Sequence, residues 1–489
     1  MNKLSAAFCL TAGLLSAGTR AADTTKPNLV VIMTDEHNFR TLGCYRALLP
    51  KDQAFIWGDG IEVKTPHLDS IAKNGLLCDR FYAASPVCTP SRAAFFSGRY
   101  PQNTGAWTNN QPLRDDVVTF AEALRRAGYA TGYAGKWHLD GPKKPGWQPA
   151  RKFGFEDNRY MFNRGHWKIL QDTPTGARVK DGSTYKIEGA DAKSFTTDFL
   201  ADKTVAFIQQ HKSQPFCYVV SIPDPHGPNS VRPPYDTMFD SFNFRLPVSA
   251  QSSGHLENMR QYFGMVKCID DNVGKILNAL RAAGVADRTI VVFTADHGDM
   301  CGEHGRNNKG VPFEGSARIP FLLTYPGKVK PGTVIHEALN NTDFKPTILS
   351  LMGVANLAGD DGCDASTLFL TGKTPAAWRN VTFSRNSGGK WLMAVTSRHK
   401  FIVNDDSNPQ LFDLEKDPFE MNNLFATPAA RPIVRELAQA LSDYAKRCHD
   451  NYVTDPSVQA DLAWAAGSSD RYVAPNRDAN KIRPNEAEE

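Results

Sequence analysis

A cysteine and an arginine share a turn with two prolines, in the run Ser85-Pro86-Val87-Cys88-Thr89-Pro90-Ser91-Arg92. The residues from Ser91 to Phe96 have the pattern of a helix, and Gly98 is typical of a residue that ends one. Cys88 would then lie just ahead of the helix N-terminus, where unpaired N–H groups and the helix dipole favour an anion such as sulfate or phosphate. A buried cysteine under a tight turn explains the same pattern equally well.

Two acidic clusters directly follow apolar, β-branched runs. Asp35 and Glu36 come after the run that ends at Met33, and Asp296 and His297 come after the run from Thr289 to Thr294. Polar residues just past the carboxyl ends of parallel strands lie where open α/β sheets bind ligands. Oxygen-rich sites suit a hard divalent cation, Ca²⁺, Mg²⁺ or Mn²⁺. Two exposed loop ends are the alternative, but the repeated placement favours a metal site.

Basic residues follow other predicted strands. Lys136 and His138 come after the strand from Tyr129 to Ala134, and on an extended segment their side chains would point the same way. They would present one fixed cation and one titratable base to an anion. His226 follows another strand in a segment with three prolines, and Lys309 follows a Gly-rich loop. Each of them, taken alone, is more typical of a surface residue.

These residue types, together with Arg92, suit the binding and transfer of a tetrahedral dianion, with a metal and cations offsetting the developing charge. A phosphatase with a cysteine nucleophile requires the pattern Cys-x5-Arg. Here the spacing from Cys88 to Arg92 is Cys-x3-Arg, and Ala94 occupies the required place. The thiol-phosphatase interpretation is therefore excluded.

Strands and helices must alternate to place these residues at one sheet edge. The predicted strands are Pro27–Met33, Leu76–Phe81, Tyr129–Ala134, Pro215–Ile222, Thr289–Thr294 and Ile319–Thr324. The predicted helices are Thr65–Gly75, Val118–Ala127, Thr197–His211, Leu256–Ala283 and, after the last of these strands, Phe344–Met352. This alternation predicts an α/β fold with a large, mainly parallel sheet sandwiched by helices.

The pattern of predicted elements changes beyond about residue 375. Short segments at Trp391–Val395 and Phe401–Val403, a turn region at Leu411–Leu414 and a helix at Pro432–Lys446 predict a smaller antiparallel sheet with a packed helix. The predicted units are a signal peptide at 1–22, the α/β domain at 23–375, an antiparallel subdomain at 376–450 and a polar tail at 451–489.

The N-terminus predicts export to a periplasmic or extracellular location. Lys3 precedes an apolar run from Leu4 to Leu15, and small residues follow up to a cleavage point near Ala22. The apolar run is too short for a permanent membrane span, and no later stretch approaches the required length. A formal net charge of +4 over 489 residues is too slight to indicate a nucleic-acid partner.

The segment Cys88-Thr89-Pro90-Ser91-Arg92 resembles the Cys-x-Pro-Ser-Arg signature of the type I, formylglycine-dependent sulfatases of the alkaline phosphatase-like superfamily. Other segments match the same family and extend the resemblance from about Lys26 to Cys448. They are Thr65-Pro66-His67-Leu68-Asp69, Gly135-Lys136-Trp137-His138, Ala295-Asp296-His297-Gly298 and Leu411-Phe412-Asp413-Leu414.

The resemblance implies an enzyme that hydrolyses sulfate esters. Cys88 would be oxidised to formylglycine by a dedicated maturation enzyme, and the hydrated aldehyde would supply the nucleophilic hydroxyl. Four residues would bind one divalent metal, usually Ca²⁺: Asp35, Glu36, Asp296 and His297.

The resemblance also implies roles for the basic residues. Arg92 and Lys136 would hold the hydrate, and Lys136 and Lys309 would hold the sulfate. His226 would protonate or stabilise the leaving alkoxide, and His138 would act as the base that restores the aldehyde.

Two positions depart from the most frequent pattern of the family. Glu36 stands where Asp or Gln is more common, and His297 stands where Asn is common. His297 matches the subset with phosphonate and phosphate diester hydrolases, which keeps that activity as an alternative. A third class, a non-catalytic glycan-binding relative, is disfavoured because every catalytic position is filled.

Export favours a sulfated polysaccharide or oligosaccharide as the substrate. The segment Asn158–Lys168 combines cations with aromatic residues, and Arg164 and His166 are its predicted substrate-binding residues. A solvated loop with structural aromatic residues explains this segment nearly as well.

Overall fold

The protein is described by a computed structural model that covers residues 26–180, 185–251, 254–356, 359–467 and 470–477. The predicted signal peptide, residues 1–22, lies outside the described residues. The described chain contains a large, mostly parallel sheet flanked by helices and a smaller antiparallel sheet. The predicted fold class is therefore confirmed.

The strands are, in chain order, β1 (Asn28–Asp35), β2 (Leu76–Cys78), β3 (Phe81–Tyr82), β4 (Ala130–Lys136), β5 (Asp157–Phe162), β6 (Leu170–Thr173), β7 (Gly176–Val179), β8 (Phe216–Pro225), β9 (Thr289–Ala295), β10 (Phe321–Thr324), β11 (Thr333–Ile335), β12 (Leu339–Asn340), β13 (Thr382–Arg385), β14 (Trp391–Val395), β15 (His399–Asn404) and β16 (Gln410–Asp413).

The α-helices are α1 (Gly43–Arg46), α2 (Lys51–Ala54), α3 (Pro66–Lys73), α4 (Cys88–Ser97), α5 (Phe120–Arg126), α6 (Thr196–His211), α7 (Met259–Ala282), α8 (Glu314–Ala317), α9 (Phe344–Leu351), α10 (Ser366–Thr371), α11 (Arg431–Arg447) and α12 (Pro456–Gly467). Across the described ranges, no helix combines the length and the apolar character that crossing a membrane requires.

The main sheet has eight strands in the order β11-β2-β10-β9-β1-β8-β4-β5. β1 lies between β8 and β9 and runs parallel to both, with Leu29 beside Cys217 and Ile290. β10 runs antiparallel to β9 and to β2. The carboxyl ends of β1, β4, β8 and β9 therefore meet at one edge of the sheet, where ligands bind in folds of this class.

Both faces of the main sheet are covered. In β1, Leu29, Val31 and Met33 pack into one buried cluster, and Val30 and Ile32 pack into another. Alternate side chains of a strand point to opposite faces, so this unbroken apolar run is a strand buried on both sides. Each such side chain contributes roughly 1.5–3 kcal/mol through burial. The strand end that carries Asp35 therefore projects from a rigid support.

The C-terminal part packs a four-stranded antiparallel sheet, in the order β13-β14-β15-β16, against α11. The segment Leu411–Leu414, which the sequence analysis interpreted as a turn, contributes β16 and pairs with β15. Residues 456–467, which were predicted to belong to a polar tail, form α12 instead. Val458 and Ala465 on this helix are fully buried against the same cluster. The packed structure thus extends beyond the predicted boundary at residue 450.

The helix that follows the Cys88 turn begins earlier than predicted. α4 starts at Cys88 rather than near Ser91, so Cys88 is its first residue. Pro90 lies within the first turn, where its missing N–H group costs no helical hydrogen bond. The predicted end is correct, because Gly98 has a φ of 72° and its N–H donates to the carbonyl of Ala94.

Candidate active site

Cys88 is fully buried at the carboxyl edge of the main sheet. Its Sγ lies 3.1 Å from His297 Nε2 and 3.6 Å from Asp35 Oδ1. The ammonium groups of Lys136 and Lys309 each lie 3.6 Å from the same sulfur. These ammonium groups and the N-terminal end of α4 create a field that favours anionic oxygen atoms beside residue 88.

The buried amide of Asn341 fixes the start of α4. Its Nδ2 donates to the Ser91 carbonyl at 3.0 Å and to Ser91 Oγ at 2.7 Å, and its Oδ1 accepts from the N–H of Ala84 at 3.0 Å. Ser91 Oγ in turn donates to the carbonyl of Asp296. These bonds join the turn before Cys88 to the end of β9.

Four of the predicted residues converge on one point. The ligand atoms of Asp35, Cys88, Asp296 and His297 lie within 4.8 Å of one another, and all four side chains are buried. His297 Nδ1 donates to the Gly298 carbonyl at 3.0 Å, because a carbonyl only accepts. The lone pair of its Nε2 therefore faces the two carboxylates, which is the usual arrangement of a metal-binding histidine. Burial lowers the pKa of His297 and keeps the ring neutral.

Glu36 lies beside this group rather than within it. Its φ of 59° is strained for a non-glycine residue and turns the side chain toward His226, whose Nε2 is 3.0 Å from Glu36 Oε2. Burial raises the pKa of Glu36, but His226 and Lys309 outweigh this effect and lower the pKa to about 2. Oε1 is buried without a hydrogen-bond partner. An anionic oxygen left in this way fits a cation at the site.

A divalent cation fits the donors that the site offers. Two carboxylates, one imidazole nitrogen and the unpartnered oxygen of Glu36 form an oxygen-rich set that suits Ca²⁺, Mg²⁺ or Mn²⁺. The residues that would hold the metal are Asp35, Glu36, Asp296 and His297.

Arg92 is completely buried and bonds the acidic residues of the site. Its Nε donates to Asp296 Oδ2 at 2.8 Å, and NH2 lies 3.3 Å from Asp35 Oδ2. NH1 donates to Ser221 Oγ and to the Lys136 carbonyl, both at 2.7 Å. Burial lowers the pKa of Arg92, but the two carboxylates outweigh it and raise the pKa above its usual range. Arg92 therefore holds the candidate ligands in place.

Lys136 lies at the end of β4 and contacts both Asp35 and His166, a residue of the segment Asn158–Lys168. Its Nζ is 2.8 Å from Asp35 Oδ2 and donates to His166 Nε2 at 2.9 Å. Burial raises the pKa of Asp35, but the Lys136 ammonium, with other groups, holds that pKa well below its usual range. Asp35 is therefore an anion, as a metal ligand must be.

His226 and Lys309 form the opposite wall. His226 Nδ1 donates to the Gly227 carbonyl at 2.7 Å, so Nε2 is the ring atom that faces the site. Lys309 Nζ lies 2.6 Å from this Nε2. The C-terminal subdomain holds the Lys309 loop, because Trp391 Nε1 donates to the Gly310 carbonyl at 3.0 Å. The small sheet thereby positions a residue of the site.

A cavity of about 150 Å³ opens beside these histidines, and its lining includes His138, Arg164, His166 and His226. The His166 and His226 rings stack, with centroids 3.7 Å apart. His138 has a φ of 62°, and its Nε2 lies 3.3 Å from Asn110 Oδ1. Both predicted substrate-binding residues, Arg164 and His166, therefore face the same cavity as the predicted base.

A buried ion pair supports the segment that carries His226. Lys168 Nζ lies 2.6 Å from Asp224 Oδ1, and Thr197 Oγ1 donates to Asp224 Oδ2 at 2.6 Å. Both charged side chains are almost completely buried. Lys168 follows His166 by two residues, and Asp224 precedes His226 by two. The pair thus fixes the spacing of the two stacked histidines.

Several residues of the site were missed by the sequence analysis. Ser221, which anchors Arg92, is a polar residue inside an apolar run, and this contrast was a usable signal. Asn341 follows a two-residue strand and gives no comparable signal. Lys144, which lines the cavity, and Lys168 come from segments without a periodic pattern. Their neighbours are set by the packing of distant segments.

Two family models match the chain. One, described as Sulfatase, matches residues 27–354. The other, described as N-sulphoglucosamine sulphohydrolase, C-terminal, matches residues 302–447. Together they cover the main sheet, every predicted site residue and the C-terminal antiparallel sheet.

Similar proteins include two bacterial sulfatases. An N-acetylglucosamine-6-O-sulfatase of Bacteroides thetaiotaomicron is 25% identical, with 94% of this chain and 92% of the relative covered. An ulvan-active sulfatase of Formosa agariphila is 30% identical, with 88% of this chain and 83% of the relative covered.

Solved structures share the fold. One, of a protein in complex with its substrate D-glucosamine-2-N,6-O-disulfate, has a TM-score of 0.71 at 24% identity and covers 87% of this chain and 99% of its own. A phosphonate monoester hydrolase of Agrobacterium radiobacter has a TM-score of 0.69 at 22% identity, covering 88% of this chain and 97% of its own.

Proposed function

This chain belongs to the sulfatase family and is a sulfuric ester hydrolase, and we propose that it is exported and releases sulfate from a sulfated saccharide, with residue 88 converted to formylglycine. The observation that carries the proposal is the position of Cys88. Its sulfur lies 3.6 Å from the ammonium groups of Lys136 and Lys309. It lies 3.1 Å from Nε2 of His297, a candidate metal ligand. This environment suits anionic oxygen atoms far better than a structural thiol.

The chemistry of the site combines a cation with an oxygen nucleophile. When bound, a divalent metal would offset the charge on the sulfate oxygens, and the hydrated aldehyde of formylglycine would supply the attacking oxygen. Asp35, Asp296 and His297 would hold the metal, with Glu36 completing the set through its unpartnered Oε1. Arg92 keeps two of these carboxylates oriented through its own hydrogen bonds.

The two lysines bind and orient the sulfate group. Their ammonium groups approach residue 88 at the same distance of 3.6 Å. They come from different parts of the chain, Lys136 from the end of β4 and Lys309 from a loop. Fixed cations already in place stabilise the charge of the transition state without reorganisation.

His226 acts as the general acid for the leaving alcohol. Its Nδ1 proton is committed to the Gly227 carbonyl, so the transferred proton is held at Nε2, which faces the site. Glu36 Oε2 at 3.0 Å stabilises the protonated ring. The His138 carbonyl accepts from Thr89 Oγ1 at 2.9 Å, and Thr89 directly follows residue 88. His138 acts as the base.

The proposed substrate is a sulfated sugar. The named activities of both bacterial sulfatase relatives, on N-acetylglucosamine-6-O-sulfate and on ulvan, support this class. The cationic cavity beside His226 supports it too, because it has room for the alcohol that carries the ester. Export is consistent with polymeric substrates outside the cytoplasm.

A phosphonate monoester or phosphodiester hydrolase is the alternative. It is favoured by His297 at the fourth ligand position and by the fold shared with the phosphonate monoester hydrolase. The same cluster would bind a phosphoryl group as readily as a sulfuryl group, since both are tetrahedral oxyanions.

A substrate panel decides between these activities. The enzyme, produced with a formylglycine-generating maturation enzyme, would be assayed for sulfate release from sulfated mono- and oligosaccharides and for product release from aryl phosphodiesters and phosphonates. The proposal expects a kcat/KM for at least one sulfated saccharide well above that for every phosphorus ester. The reverse order would establish the alternative.

A further inference from the structure

The cavity beside His138 and His226 is lined by basic side chains. Five of its lining residues carry a basic side chain: His138, Lys144, Arg164, His166 and His226. Among the described residues that line it, none is acidic. A concave site of this sign, directly next to the reacting centre, attracts a substrate with negative charge beyond the group that reacts.

Lys144 and Arg164 are the two permanent cations of the cavity that the proposed chemistry does not use. Neither is in an ion pair with an acidic residue of the described chain. Arg164 has one long hydrogen bond, from NH1 to the Pro142 carbonyl at 3.4 Å. By contrast, Lys143 next to Lys144 is paired with Asp140 at 3.4 Å. The two cavity cations are thus available to a ligand.

The cavity wall is built to hold both cations on one side. Buried Asn163 donates through Nδ2 to the carbonyls of Gly141 and Lys143, at 2.8 and 2.9 Å. The N–H of Arg164 donates to the Pro145 carbonyl at 3.1 Å. These bonds bind the loop of Lys144 to the segment of Arg164. Their relative position is therefore set before a ligand arrives, which lowers the entropy lost on binding.

Aromatic side chains complete the wall. Lys144 Nζ lies 5.2 Å from the centre of the Tyr185 ring and 5.9 Å from that of Trp167. Gly165, with a φ of 116°, permits the close approach of Trp167, because a Cβ there would lie 2.4 Å from the indole. A cation pair beside aromatic faces suits a sugar that carries an anionic substituent.

We propose that Lys144 and Arg164 bind a second anionic group, a sulfate or a carboxylate, on the same sugar whose sulfate ester is hydrolysed at residue 88. The inference rests on the proposed sulfatase activity and narrows its substrate class. A singly sulfated neutral sugar would leave both cations without a partner. In a sugar with two anionic groups, the first would bind at the catalytic cluster. The second would bind Lys144 and Arg164, which together we call the cation clamp.

The test uses three phenyl sulfates that differ only in one ring substituent, a neutral carboxamide, a carboxylate or a sulfonate. Wild-type enzyme is expected to show a kcat/KM about tenfold higher for a charged substituent than for the carboxamide, mainly through a lower KM. A larger preference for the carboxylate would indicate that the second anionic group is the carboxylate of a uronate. A larger preference for the sulfonate would indicate a second sulfate. High salt should reduce the preference.

Variants assign the preference to the two cations. Lys144→Gln and Arg164→Gln should each remove most of the tenfold advantage, and Lys144→Glu should reverse it. Lys143→Gln, with the same loss of charge one residue away, should keep the advantage. Melting temperatures establish that each variant is folded.

The outcomes separate the two proposals. If the wild-type enzyme releases sulfate from all three esters without preference, or if the variants weaken all three equally, the clamp is contradicted and the sulfatase proposal stands. If it releases sulfate from none of the three esters nor from any sulfated saccharide, the proposed function fails, and the clamp fails with it.

Discussion

The imidazole rings of His166 and His226 lie parallel, with centroids 3.7 Å apart and an angle of 6° between their planes. His166 Nε2 lies 2.9 Å from Lys136 Nζ, and His226 Nε2 lies 2.6 Å from Lys309 Nζ. The stack therefore joins the two lysines that approach residue 88. It also fixes the ring plane of His226, which a proton donor needs to aim at the leaving oxygen.

His226→Ala should lower kcat by about 10²–10⁴ for a sugar or alkyl sulfate, because the alkoxide then leaves without a proton. The loss should be much smaller for 4-nitrophenyl sulfate, whose leaving group is stable as an anion. Initial rates on both substrates check this. His336→Ala, at an exposed histidine outside the site, is the control. Equal losses on both substrates would refute the role of His226 as the acid.

Lys168→Met should destabilise the protein by about 3–5 kcal/mol, because Asp224 is left as a buried charge without its partner. Urea unfolding measures the change. The matched control is Lys51→Met, since Lys51 and Asp59 form an exposed pair, with 71% and 78% of the side chains accessible. That change should cost less than about 1 kcal/mol. Similar costs for both variants would show that the buried pair does not support the His226 segment.

Asn341→Ala should remove the hydrogen bonds that tie α4 to the turn before it. We expect a loss of about 1–3 kcal/mol in stability for the buried groups left unpaired, and a lower kcat because residue 88 is no longer fixed. Asn278→Ala, at an exposed position of α7, should change neither quantity. Thermal unfolding and steady-state kinetics test both variants. An unchanged kcat for Asn341→Ala would contradict the positioning role.

Removal of metal should abolish sulfate release and lower the melting temperature, because a ligand bound only by the folded state stabilises it. The stabilisation is about 2.7 kcal/mol when the free metal is at 100 times its Kd. Treatment with a chelator, followed by addition of Ca²⁺, Mg²⁺ or Mn²⁺, measures loss and recovery. Asp296→Asn should make the melting temperature insensitive to the chelator. Full activity in the chelator would rule out a catalytic metal.

The parts of the site at strand ends were predictable from the sequence. Apolar runs define the strands locally, so Asp35, Asp296 and Lys136 could be assigned to one sheet edge before their contacts were known. The position of the cation clamp could not be predicted, because the contact between the loop of Lys144 and the segment of Arg164 depends on Asn163 and on tertiary packing.

Two errors in the predicted fold have specific causes. α12 was assigned to a polar tail because its composition is mixed, although Val458, Leu462 and Ala465 have the spacing of one helix face. β16 was interpreted as a turn because four residues are too few to show a strand period. In both cases the subdomain supplies the burial that local sequence does not indicate.

The most direct test of the central claim is the mass of the proteolytic peptide that contains residue 88, measured on protein that releases sulfate. The account predicts an aldehyde in place of the Cys88 thiol, and it predicts that Cys88→Ser abolishes sulfate release in a host whose maturation enzyme acts only on cysteine. An intact thiol in fully active protein, or sulfate release by folded Cys88→Ser protein, would contradict it.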